Sequence, residues 1–403
     1  MPVLRATVEG FYGPPWSHEE RLAHLSFCAG VGLDTYVYGP KDDPWHRARW
    51  RDPYPPAELD RLASLVAHAG SVGVTFVFAI HPGLSMRWDD PAEQETLHAK
   101  AAQLWEIGVR RFALFFDDID YTDDPAADGA AHARVGARFV DGFLVPRSAA
   151  PTRESPFFVV PTDYAGNQTS AYRTGFGAHL PDHTLVFWTG SDIVVGAISD
   201  DDVRTAHAAF GRPLALWDNF PVNDFDPKRV FLGPLVDRPT GFEHGVLAGI
   251  MANPMVQPRA SRIALATVAE YAADPAAYDA RAAHERALKA LVPPELVPLV
   301  EVCSSWPPSA SPAPWLDDLV AAGDADGLVA ALRPLADLPD LDHPLADELA
   351  AWVRAGRAMA RAGIAAATGD LDTARDALAE AESGDADVLR SVVAPYVRSR
   401  LVS

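Results

Sequence analysis

The sequence predicts an α/β protein, a (β/α)8 TIM-type barrel followed by a C-terminal all-helical domain. Eight short β-branched or aromatic runs occupy the first two-thirds of the chain. Patterns of about a dozen residues with apolar positions three to four apart separate the early runs, which reads as repeated βα units around a parallel sheet. After about Tyr271 the texture turns to Ala, Leu, Asp and Arg with helical periodicity.

In order, the strand candidates are "RATVEGFYG", "DTYVYGPKDD", "VTFVFAIHPG", "RFALFFDDID", "PFFVVPTDY", "TLVFWTG", "PLALWDN" and "GVLAGIMANP". Eight in sequence suit a closed barrel better than an open sheet. No GxGxxG or GxxxxGK(S/T) follows any of them, which argues against a nucleotide-binding sheet. The first four are followed by helical patterns at Glu19 to Ala29, Pro56 to Ala69, Ala92 to Trp105 and Ala131 to Leu144. The seventh unit differs: "FPVNDFDPKRVFLGPLVDRP" is too rich in Pro and Asp for a regular helix and reads as a long functional loop. Helix-period stretches such as "AAYDARAAHERALKALV", with the Pro/Ser-rich loop Cys303 to Trp315 between them and later ones, predict the appendix. The predicted domains are therefore 1–274, the barrel, and 275–403, a helical bundle-like domain, with no repeat period of a solenoid.

Composition limits the partners. With 403 residues and 48% hydrophobic content the chain can bury a large core. A net charge of −21 without a Lys/Arg stripe predicts no nucleic-acid and no membrane partner. The N-terminus lacks a signal-peptide pattern and no apolar run reaches a membrane span, so a cytoplasmic location is expected. Cys28 and Cys303 are far apart, lack ligand spacing and read as inert packing residues. No cofactor and no metal is expected.

Barrel enzymes draw their active-site groups from the carboxyl ends of the strands, and here those ends are unusually polar. They carry Glu9 and Gly10; Lys41, Asp42 and Asp43; Asp117, Asp118 and Asp120; Asp163 and Tyr164; Trp188 and Thr189; Trp217, Asp218 and Asn219, with Asn223 and Asp224 beyond; and Asn253. Carboxylates, amides and a lysine suit a hydroxyl-rich ligand, and Trp and Tyr suit the face of a sugar. Asp43, Asp120, Asp163 and Asp218 suit turn or cap roles equally well, and Trp188 and Trp217 suit barrel packing.

Asp117 and Asp118 are harder to assign to structure, because two adjacent carboxylates ending an apolar strand incur desolvation and mutual repulsion. Neighbouring strand residues face opposite sides, so the pair cannot flank a bond as the two carboxylates of an ordinary glycosidase do. One can protonate a leaving oxygen while the other orients a nucleophile carried by the substrate itself, such as a 2-acetamido group.

These strand ends resemble the family 84 glycoside hydrolases, the β-N-acetylglucosaminidases that include O-GlcNAcases and hyaluronidase-like proteins. "VEGFYGPPWSHEER", "GLDTYVYGPKDDPWHRARWRDPY", "FFDDID", "PTDY", "WTG", "LWDNFPVNDFDPKRVFLGP" and "MANPM" occur in the family's order over roughly residues 6 to 270. The resemblance implies a retaining exo-β-N-acetylglucosaminidase working by substrate-assisted catalysis through an oxazoline, without metal. It implies that Asp117 orients and polarises the acetamido group and that Asp118 is the general acid/base. Tyr164 would hold the acetamido oxygen, Asn219 would position that arm and Trp217 would wall the pocket. Gly10, Lys41, Asp224 and Asn253 would meet the sugar hydroxyls. The implied substrate is a GlcNAc-containing glycoside or glycopeptide. One departure stands out: after "ANPM" the chain reads "VQPRASRIAL", with Pro258 and Arg259 where small or acidic residues are expected to open a helix.

Of three rival readings, two have sequence tests. A GlcNAc-binding pseudoenzyme would lack part of the Asp117, Asp118, Tyr164 and Asn219 set, which is complete. A metal-dependent hydrolase using His81, Asp117 and Asp118 would carry an early HxH pair, which is missing. Hyaluronidase or β-N-acetylgalactosaminidase activity on the same fold is distinguished only by assay.

Overall fold

The computed structural model of the chain describes residues 3–402. Eight strands close into a barrel in chain order: β1 (Leu4–Glu9), β2 (Thr35–Tyr38), β3 (Thr75–Ile80), β4 (Arg111–Phe115), β5 (Phe157–Val160), β6 (Thr184–Trp188), β7 (Leu214–Asp218) and β8 (Leu247–Ala252). Each strand pairs in parallel with the next, and β8 pairs with β1, Leu4 lying opposite Gly249 and Thr7 opposite Ala252. The predicted (β/α)8 architecture is borne out. The β7–β8 register shifts between Leu214 and Leu216, just across from Gly249, whose φ of 147° and close approach to the Leu4 backbone exclude a side chain.

Helices α1 (His18–Val31), α2 (Pro56–Val72), α3 (Pro91–Glu106), α4 (Pro125–Phe139), α5 (Ala171–His179) and α6 (Asp200–Phe210) follow the first six strands. Their starts are written in the sequence. Ser17 and Ser199 form capping boxes with Glu20 and Asp202, while Asp90, Asp124 and Ser170 accept the free N–H groups of α3, α4 and α5. Helix α4 begins six residues before the predicted Ala131, at an Asp-Pro start, and a π-helical turn at Val140–Leu144 extends it. Its first turns, "PAADGAA", carry too little apolar periodicity to announce themselves. Between β7 and β8 the described residues form no helix or strand, as the Pro/Asp-rich segment predicts.

Alternate strand residues fill the barrel. Ala6, Val8, Val37, Val77, Ala79, Ala113, Phe115, Phe158, Val160, Phe187, Ala215 and Trp217 belong to one buried cluster, and the aromatic rings among them meet at 5.4 to 5.9 Å, Trp217 against Phe115 and Phe187 and Phe158 against Phe187.

The remaining helices are α7 (Pro258–Ala273), α8 (Ala280–Leu291), α9 (Val297–Val302), α10 (Pro314–Ala322), α11 (Ala325–Ala336), α12 (Pro344–Glu348), α13 (Ala350–Thr368), α14 (Leu371–Ser383) and α15 (Val393–Leu401). The chain divides into two compact units, Met1–Phe220 with Asp237–Val256 and Ala269–Tyr278, and Pro221–Val236 with Gln257–Val268 and Asp279–Ser403. In the second, α13 packs against α11, α14 and α15, and its buried positions include Ala355, Ala358, Ala362 and Ala366, small side chains of the kind that let helices approach closely. Pro258 occupies the first position of α7, where a missing N–H matters least, and the Glu348 carboxylate accepts the next two N–H groups, Arg259 at 3.2 Å and Ala260 at 2.7 Å. The acidic group expected at that helix start comes from elsewhere in the chain. Both cysteines are buried and free, and burial pushes the Cys303 thiol up to about 12. No described helix is long and apolar enough to cross a membrane.

Candidate active site

The inside–outside alternation that fills the barrel also selects what crowns it. One further step of two residues beyond the inward-facing core positions reaches Gly10 after Val8, His81 after Ala79, Asp117 after Phe115, Thr189 after Phe187, Asn219 after Trp217 and Asn253 after Met251. A second step reaches Lys41 beyond Val37 and Tyr164 beyond Val160. Among the residues singled out from the sequence, Gly10, Lys41, Asp117, Asp118, Tyr164, Trp217, Asn219 and Asn253 all lie in the barrel unit and are linked as follows.

Lys41 ties the carboxylate pair together. Its Nζ donates to Asp117 Oδ2 and lies 3.3 Å from Asp118 Oδ2. Both side chains reach the same ammonium because Asp118 leaves the strand conformation, with φ of 53° in the left-handed region that Asp tolerates better than most residues. Strand alternation would have turned it outward. Asp118 also accepts from Tyr12 Oη at 2.6 Å and Tyr164 Oη at 2.9 Å, and Arg47 donates to Tyr12 Oη at 3.1 Å.

The two carboxylates differ in exposure, the side chain of Asp117 being 7% and that of Asp118 31% accessible. Burial alone would raise the Asp117 carboxyl, but Lys41 and then His81 outweigh it and hold the group well below the usual carboxylate range. Burial likewise opposes the Lys41 charge, and Asp117 and Asp118 more than restore it. Burial, followed by the Asp118 carboxylate, raises the Tyr164 phenol. Asp117 Oδ1 is buried and makes no well-aligned hydrogen bond with the described residues; His81 Nε2 lies 3.4 Å from it.

A second set is built on amides. Asn219 Oδ1 accepts from Trp217 Nε1 at 2.9 Å and Asn253 Nδ2 at 3.0 Å, and Asn219 Nδ2 donates to the Ile193 carbonyl at 2.8 Å. Asn253 Oδ1 in turn accepts the Gly10 N–H at 3.3 Å, across the β8–β1 seam. Gly10 is required by packing: a Cβ there would lie 2.5 Å from the Trp217 indole.

Other strand-end polar groups hold structure. Asp43 accepts from Tyr38, Tyr54, Trp45 N and His46 N and so fixes the loop after β2. Asp163 pairs with Arg173 and Ser170. Asp218 forms a two-point ion pair with Arg238 at 2.6 and 2.9 Å, both side chains 1% accessible. Glu9 is clamped by Arg21 and Tyr36. Trp188 is buried, its indole N–H on the Gly166 carbonyl, and Asp120 is exposed. Asp224 is half-buried in Pro221–Val236, which belongs to the second compact unit. Among the described residues no group of three or more His, Cys, Asp or Glu side chains is placed to hold a metal ion. Tyr12 escaped the sequence reading although it sits in the same "EGFYG" as Gly10, because a tyrosine three residues past a strand end carries no periodic signal.

A closed parallel barrel whose carboxyl rim gathers two carboxylates, a lysine, two asparagines and an indole is of the glycoside hydrolase kind. The NAGidase family model, described as beta-N-acetylglucosaminidase, matches residues 5–302, and the chain belongs to that family. Protein O-GlcNAcase of Rattus norvegicus is 34% identical over 278 residues, 66% of this chain and 30% of the rat protein, so the match spans under a third of that relative's length. Among solved structures, CpGH84B superposes with a TM-score of 0.89 at 27% identity, over 98% of this chain and 76% of its own. A mutant of the Thermobaculum terrenum O-GlcNAc hydrolase gives 0.87 at 27%, over 98% and 94%. The resemblance read from the strand-end motifs is thereby borne out.

Proposed function

We propose that the chain is a retaining exo-β-N-acetylglucosaminidase, removing terminal β-linked GlcNAc from glycosides or glycopeptides by substrate-assisted catalysis. The reading rests on family membership and on one observation above all: Asp117 presents a buried, ionised oxygen, Oδ1, left under-satisfied because its one nearby donor, His81 Nε2 at 3.4 Å, is spent on the Asp117 backbone carbonyl at 2.9 Å. An under-satisfied buried carboxylate oxygen is unfavourable in the free protein and is relieved by a ligand N–H, and a 2-acetamido sugar brings one. With that N–H on Asp117, the acetamido oxygen attacks the anomeric carbon, the glycosidic C–O bond breaks and Asp118 gives its proton to the departing oxygen. Asp117 stabilises the positive charge of the resulting ring. Water then opens the oxazoline, losing its proton to Asp118. Tyr164 is assigned to the acetamido oxygen and Asn219 to that arm, with Trp217 as the pocket wall. Gly10, Lys41, Asn253 and Asp224 are assigned to the sugar hydroxyls. The barrel over 1–274 carries the chemistry and 275–403 forms the helical domain. Two free thiols are compatible with the reducing cytoplasm.

The test is the stereochemistry and leaving-group dependence of aryl β-GlcNAc hydrolysis. The first-formed sugar is expected to be the β-anomer by NMR. Asp118→Ala should be severely slow with poor leaving groups, nearly unimpaired in bond cleavage with an acidic phenol, and rescued by azide as a β-glycosyl azide. Asp117→Ala should be similarly slow throughout the series, since the acetamido group must be oriented whatever departs. An α-anomeric first product, or equal leaving-group sensitivity in both variants, overturns the assignment.

A further inference from the structure

Beneath the carboxylate pair lie two fully buried imidazoles that the reaction itself does not use. His81 Nε2 is 2.9 Å from the Asp117 backbone carbonyl and 3.4 Å from Asp117 Oδ1. Both are oxygens without a hydrogen, so Nε2 must carry the proton and donate. His81 Nδ1 has no hydrogen-bond partner among the described residues. His46 repeats the arrangement: its Nδ1 donates to the Ala79 carbonyl at 2.6 Å and its Nε2 is unpartnered. The rings meet edge to face at 6.2 Å, the His81 N–H donates to the His46 carbonyl at 3.0 Å, and His46 N is held by Asp43. A continuous chain thus runs from Asp43 through His46 and His81 to the end of β4.

Resting on the function proposed above, we infer that His81 is a positioning residue which sets the orientation of the Asp117 carboxylate. Lys41 holds Oδ2, and a carboxylate anchored at one oxygen still swings about χ2. The His81 Nε2–H, committed to the Asp117 carbonyl, stands against the second oxygen without capturing it. Oδ1 is thereby kept in place yet left with its acceptor capacity for the acetamide N–H. His46, packed on His81 and edge-on to Phe115 at 5.9 Å, prevents the imidazole from turning. Histidine suits the task because its rigid planar ring fixes where the Nε2–H lies.

The experiment compares two amides of opposite reach in the full chain. His81→Gln places an N–H where Nε2–H lies, and His81→Asn places it where Nδ1 lies. With an aryl β-GlcNAc substrate, His81→Asn should lose about 10²-fold in kcat with KM within about threefold, the loss typical of a catalytic group displaced by about 1 Å. His81→Gln should recover most of it. In an Asp117→Ala background the His81→Asn change should cost nothing further, since its effect passes through that carboxylate. A merely structural role predicts losses that add to those of Asp117→Ala and follow the thermal midpoint in both variants. Equal activity of His81→Gln and His81→Asn, or an additive cycle, overturns the inference while leaving the function intact. Absence of turnover by the unmodified protein overturns the function and this inference with it.

Discussion

Adding a single methyl group at Gly10 tests the packing that shapes the pocket. A Cβ at Gly10 would lie 2.5 Å from Trp217 Cζ2 and 2.8 Å from Cη2. Carbon atoms pack at about 3.5–4.0 Å, so the indole must retreat by about 1 Å. It has little room, being flanked by the rings of Phe115 and Phe187 within the barrel. Overpacking of this kind costs about 1–3 kcal/mol of stability. The functional loss is larger, because Trp217 Nε1 holds Asn219 Oδ1, which also receives Asn253, while Asn253 accepts the Gly10 N–H. Moving the indole displaces three groups assigned to the sugar, and a shift of about 1 Å at such a site costs about 10²-fold in rate. Gly10→Ala should therefore reduce kcat/KM for an aryl β-GlcNAc about 10²-fold, lower the thermal midpoint modestly and change the tryptophan emission. A variant within twofold of the unmodified protein in kcat/KM would refute the reasoning, because it would mean that the pocket wall yields freely.

Two other outcomes follow from buried charge. His46 and His132 are held neutral by burial, with values of about 3 and about 4, against about 6.5 when unfolded. Between those limits the unfolded chain binds more protons, so stability falls as pH drops, by about 1.4 kcal/mol per pH unit for each fully contributing histidine. Urea midpoints at pH 7, 6 and 5 should show this decline, and the double variant His46→Asn/His132→Asn should flatten it; parallel declines would refute it. Asp117, with its lowered value, adds to the loss only below the ordinary carboxylate range, so it leaves this window untouched. Separately, Arg238→Met strands the buried Asp218 carboxylate and should cost about 3–5 kcal/mol. Asp218→Asn in the same chain should return part of it, and chemical denaturation of the three proteins checks both.

The barrel could be read from the sequence because each strand is a short apolar run with polar residues at its end, both local properties. Most of the rim followed from the same alternation, as Asp117, Asn219 and Asn253 illustrate. What escaped depends on contacts between distant segments. Asp118 reaches the pocket only through a left-handed backbone turn, against the alternation that governs its neighbours. Tyr12 matters because Asp118 lies 2.6 Å from its hydroxyl, a fact 106 positions away in the chain. His81, weighed from the sequence as a metal ligand, spends its Nε2 on the Asp117 carbonyl instead. The start of α4 was missed because alanine-rich turns hide periodicity, although the Asp124-Pro125 signal was present.

The seam between β8 and β1 has a consequence for how the protein is made. The hydrogen bond from the Gly10 N–H to Asn253 Oδ1 joins groups 243 residues apart, and Leu4 pairs with Gly249 along the same edge. On the ribosome, the tenth residue emerges long before its partner, so the contact that closes this seam has to wait until almost two-thirds of the chain is made. The amide set needs the last strand, because Asn253 follows β8 and links Gly10 to Asn219. Closing the ring and completing the amide set are therefore one event, since both wait on the eighth strand.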